Sequence, residues 1–92
     1  MSPRYIVMTS AAPMPRSCWG KYRRVALVEL EPGFEGTPRM ISPRARGVAR
    51  IVHTWERLHA GGGERTAYAR AMRAATAWAE ELADLARPGG AS

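Results

Sequence analysis

The stretch from Ser42 to Gly61, Ser-Pro-Arg-Ala-Arg-Gly-Val-Ala-Arg-Ile-Val-His-Thr-Trp-Glu-Arg-Leu-His-Ala-Gly, sets the tightest condition on the fold. At roughly 100° per residue, Val48, Ile51, Val52, Trp55 and Leu58 share one side of a helix, and Arg46, Arg50, His53 and Arg57 form a narrow stripe on the other. Ser42 can cap such a helix, Pro43 suits its first position, and Gly61 supplies a left-handed stop. The spacing therefore predicts a helix that needs a core on one side and offers a row of positive charge on the other.

The remaining elements are read against that helix. Arg4–Thr9 is rich in β-branched and aromatic residues and reads as a first strand. Pro13 and Pro15 interrupt the chain after it. Lys21–Glu31 is the longest strand candidate, and its middle, Val25–Val28, is apolar on both faces, which predicts a central place in a sheet. Tyr22, Arg24, Ala26, Val28 and Leu30 share one of its faces; Lys21, Arg23, Val25, Leu27 and Glu29 share the other. Pro32–Pro38 is dense in turn formers, and Arg39–Ile41 reads as a short third strand.

Gly61–Gly63 links the predicted helix to a second, Glu64–Arg87, with Tyr68, Ala71, Met72, Ala75, Trp78, Ala79, Leu82 and Leu85 on its apolar face. No Gly-Lys-Ser/Thr follows these glycines, so they do not form a phosphate-binding loop. The expected architecture is a single two-layer α+β domain over 1–87, a three-stranded antiparallel sheet packed on a C-terminal two-helix hairpin in the order β-β-β-α-α, with 88–92 as a tail.

Ninety-two residues with 46% hydrophobic content support a modest core. Net charge is +6, and its placement is uneven: residues 1–50 carry nine basic and three acidic side chains, residues 51–92 five of each. Such a field attracts nucleic acid or an acidic protein surface. GC-rich mutational bias is the plainer source of so much arginine and alanine. No apolar run is long enough to span a membrane, and the N-terminus lacks a signal-peptide pattern, so a cytoplasmic protein is expected.

The stripe Arg46, Arg50, His53 and Arg57 is the first candidate binding surface, because arginines so spaced match phosphate or carboxylate oxygens bidentately. A solvated outer face would look the same. Arg23, Arg24 and Trp19 form a second candidate, with Tyr22 between them, in the mix of aromatic and basic residues that stacks bases beside phosphates. The alternative there is a strand end with its arginines extended into solvent. His53 and His59 do not share a helix face, and Cys18 is the one cysteine, so neither a metal site nor a nucleophile pair is expected, and no cofactor. No residue set spells out a reaction, and an enzyme is not expected.

Trp19-Gly-Lys-Tyr-Arg-Arg-Val-Ala26, Arg39-Met-Ile-Ser42 and Arg44-Ala-Arg-Gly-Val-Ala-Arg-Ile-Val52 resemble small proteins encoded by bacteriophages and prophages of GC-rich bacteria, among them single-domain proteins of the anti-CRISPR type. The resemblance spans residues 5–60 in style. Anti-CRISPR families share no common motif, so it carries no functional residue with it. It implies a stoichiometric inhibitor in the host bacterial cytoplasm that docks on a Cas protein or CRISPR effector complex and blocks DNA binding or cleavage. Many such inhibitors are acidic and imitate DNA. This chain is basic, so the resemblance implies an acidic protein surface, guide RNA or DNA as its contact. Two other readings remain: a small nucleic-acid-binding or regulatory protein meeting phosphates through the same arginines, and an enzyme accessory subunit or antitoxin-like partner that forms a homodimer through an exposed sheet face.

Overall fold

The computed structural model describes residues 3–12, 14–18, 21–61 and 63–86. Three strands, β1 (Arg4–Ala11), β2 (Tyr22–Leu30) and β3 (Val48–His59), form an antiparallel sheet in the order β1-β2-β3, followed by one long helix, α1 (Ala67–Ala86). The fold is α+β, as the sequence predicts, but with one C-terminal helix and not a two-helix hairpin. The expected tail, 88–92, lies outside the described residues.

The central strand is where the apolar run placed it. Val25, Ala26, Leu27 and Val28 have no exposed surface. Odd-numbered residues of β2 face α1, where Val25 packs with Val7, Trp55, Leu58, Tyr68, Ala71, Met72 and Ala75. Even-numbered residues face the connection 31–47. There Ala26, Val28 and Leu30 pack with Met8 and Val48 under Phe34, Ile41 and Ala45. Each fully buried side chain of this size contributes about 1.5–3 kcal/mol, and β2 spends both its faces that way.

The predicted helix over 42–61 is overturned. Its start signals act for only one turn: Ser42 Oγ accepts from Arg44 N at 3.2 Å, and Ala45 N donates to Ser42 O at 3.1 Å. Gly47, at φ 92°, then turns the chain out of helical space, and Val48 enters β3. Arg39–Ile41, expected as the third strand, is irregular, and β3 takes that place.

The helical spacing of the apolar residues has a different cause. Tyr22 pairs with His59 and Leu30 with Val48, so nine residues of β2 face twelve of β3. The three extra residues enter at three bulges, between Arg23 and Val25, Leu27 and Val28, and Glu29 and Leu30 of the partner strand. Each bulge turns a spacing of two into a spacing of three. Val48 and Ile51 therefore meet the connection, while Trp55 and Leu58 meet α1.

Helix α1 begins where Thr66 Oγ1 accepts from Ala69 N at 3.1 Å, an N-cap that follows a 3-10 turn at Gly63–Arg65. It runs from the Arg23 end of the sheet toward its other end, since Tyr68 lies beneath Arg23 and Trp78 lies against His53, the partner of Leu27. The connection on the opposite face is pinned by Glu31 N to Gly47 O at 2.8 Å and by Arg4 Nη1 to Phe34 O at 2.9 Å.

Leu27→Ala is expected to lower stability by about 3 kcal/mol in urea denaturation. A Cβ at Gly47 would meet the Phe34 ring at 2.5 Å, whereas one at Gly33 meets nothing within 4 Å. Gly47→Ala should therefore destabilise by more than about 2 kcal/mol, and Gly33→Ala by about 1 kcal/mol from its left-handed backbone alone.

Candidate functional site

Because 48–59 is a strand, Arg46, Arg50, His53 and Arg57 do not form a stripe. Arg46 lies in the connection, on a pocket of about 410 Å³ lined also by Phe34, Arg39, Met40 and Glu35. Arg50 pairs across the sheet with Glu29, Nε to Oε1 at 3.1 Å. At that exposure the pair contributes under about 1 kcal/mol. His53 stands edge-on to Trp55 at 4.6 Å and lies 5.6 Å from Trp78, closing the β3 side of the α1 interface. Arg57 is at a bulge.

Arg57 has φ 52°, the one non-glycine residue in the left-handed region among those described. Bulges of this kind usually place glycine there, since an L-residue costs about 1–2 kcal/mol in that conformation. The side chain is exposed.

Arg57 belongs to a concentration of charge that the topology assembles. The β1–β2 connection and the start of β2 bring Lys21, Arg23 and Arg24 to one end of the sheet. The end of β3, the 3-10 turn and the start of α1 bring Arg57, Arg65, Arg70 and Arg73 to the same end, Arg73 Nη1 reaching back to Glu64 O at 3.2 Å. Two carboxylates, Glu56 and Glu64, accompany these seven cations. The other end holds Arg4, Arg39, Arg44, Arg46 and Arg50 with Glu29, Glu31, Glu35, Glu80, Glu81 and Asp84, and is close to neutral. The positive end of the α1 dipole adds to the cationic end.

Within this end, Arg23 lies 5.9 Å over the Tyr68 ring, a cation–π contact that holds the guanidinium at the surface. Arg24 is partly spent, donating to Ser10 Oγ at 3.2 Å and lying 3.8 Å from Glu56. Arg70 Nη1 donates to Arg65 O at 3.3 Å, a backbone contact that leaves its charge unneutralised. Tyr22 and His59 stack edge-on at 5.4 Å beside them. Trp19 and the Cys18 side chain lie outside the described residues. Of the sequence candidates, Arg23, Arg24 and Arg57 come together here. Arg46, Arg50 and His53 do not. Lys21, Arg65 and Arg70 join from positions scattered in sequence, and only the sheet order reveals them.

Among the described residues no group of three His, Cys, Asp or Glu side chains is placed to hold a metal ion. No helix among them is long and apolar enough to cross a membrane. Comparison of the chain with protein-family models, curated proteins and solved structures gives no match in any of the three.

Arg57→Gly should leave stability unchanged or raise it by up to about 1 kcal/mol in urea denaturation, because relief of the left-handed strain opposes the extra freedom of the unfolded chain.

Proposed function

We propose that the protein is a non-enzymatic binding protein that docks its cationic end on the phosphates of a nucleic acid. The observation that carries this reading is Arg57: an arginine kept where the backbone favours glycine, at the end where seven cations meet two carboxylates. Strained residues persist where something other than stability retains them. Arginine forks suit phosphate oxygens, and the Tyr22–His59 pair offers aromatic edges and faces next to them. The phage-type inhibitor reading uses the same surface. On a Cas effector complex, the guide RNA or bound DNA would present the same phosphates to it.

Fluorescence anisotropy with a short duplex DNA and an RNA of the same sequence tests this. With about four phosphates neutralised, affinity should fall about 100-fold between about 50 and 200 mM salt. Replacing Lys21, Arg23, Arg65 and Arg70 together with alanine should flatten that salt dependence, at about one unit of slope per lost contact. Replacing Arg39 and Arg44, at the other end, should leave it unchanged. Absence of binding at the lower salt, or equal losses in the two variants, would sink the proposal. Phage plating on CRISPR-competent hosts decides the inhibitor reading. Protection given by the unmodified chain and lost in the four-residue variant supports it; no protection on any host removes it.

A further inference from the structure

The two edges of the sheet are not alike. β3 is blunted by three bulges and by Arg50, Glu56 and Arg57. β1 pairs with β2 in unbroken register from Arg4–Leu30 to Ala11–Arg23, without bulge or proline, and carries one charge, at its first residue. Among the described residues no strand pairs with its outer side, and a regular, mostly uncharged edge of eight residues is a template for another strand.

Helix α1 indicates which strand. Its charges oppose its own dipole, with Arg70 and Arg73 in the first half and Glu80, Glu81 and Asp84 in the second. Such a helix is complementary to an antiparallel copy of itself. Trp78 faces β3, and Thr76 lies about 200° around the helix from it, on the β1 flank. That flank is a groove lined by Met72, Arg73, Thr76, Ala77 and Glu80. The backbones of Arg73 and Glu80 stand about one turn to either side of the Thr76–Ala77 step; the Arg73 guanidinium donates to Glu64 O at 3.2 Å and swings from that exposed carbonyl to reach across the seam. Glu80 is exposed and makes no ion pair with any described residue.

We infer that two copies of the chain pair antiparallel through β1, giving a continuous six-stranded sheet with both helices on one face. A two-fold axis at Val7 sets Val7 opposite itself, Ile6 opposite Met8, Tyr5 opposite Thr9 and Arg4 opposite Ser10, with no like charges facing. The helix seam is centred at the same level: Trp78 meets His53, His53 pairs with Leu27, and Leu27 pairs with Val7. One axis therefore serves both layers and sets Arg73 of each copy against Glu80 of the other. α1 rests about equally on β1 and β2 and also reaches β3 through Trp78, so the two axes lie at least about two strand spacings, or about 9.6 Å, apart. That is the outer end of the range of about 8–10 Å for packed helices, so the seam is bridged by side chains and not by close backbone contact.

Sedimentation analysis of the full chain should give a mass near twice 10.1 kDa. Arg73→Glu or Glu80→Arg alone sets like charges together and should weaken self-association about tenfold; the two combined should restore it. Circular dichroism checks that these surface variants keep their fold. Amide exchange in β1, and not in β3, should slow as concentration rises. A monomer at millimolar concentration, single reversals without effect, a double reversal that does not recover, or slowing confined to β3 each overturns the inference.

Discussion

The structure depends on β2 being apolar on both faces. A strand with Val25, Leu27, Ala26 and Val28 alternating cannot be covered by one layer, so two covers are required. Helix α1 supplies one, through Ala71 and Ala75, whose small side chains let it sit close over Val25. The connection 31–47 supplies the other, laying Phe34, Ile41 and Ala45 over Val28 and Leu30. Burying both faces also fixes the register of β2, because a slip by one residue would exchange the two covers. The position of the cationic end follows from that register.

How much of this could be read in the sequence differed by element. β1, β2 and α1 obey the simple periods of two and 3.6, and their bounds came within a few residues. β3 does not obey either. A bulged strand spaces its apolar residues at threes and fours, as a helix does, and the Ser42–Pro43 start signal was real but local. The sign of a strand was in composition: Val48, Ile51, Val52 and Thr54 are β-branched and resist helix. A third strand limited to Arg39–Ile41 would also have left most of β2 unpaired on one side.

The binding candidates fared according to the same rule. Arg23 and Arg24 lie on β2, whose faces were read correctly, and both reach the cationic end. The arginines assigned to a helix face were scattered by the strand, one into the pocket of the connection, one onto Glu29 and one onto a bulge. Clustering of charge between distant segments is a property of topology, and a linear count of charge in each half of the chain does not reveal it.

The bulges of β3 have a consequence for how this chain can change. Ala49, Val52 and one residue of the Glu56–Arg57 pair are surplus to the ladder, so length in this strand is a dial rather than a necessity. Each single-residue deletion there would straighten the outer strand a little. Losing all three would give the domain two flat, adhesive borders instead of one, and turn a unit with a closed end into a link that can be added to without limit.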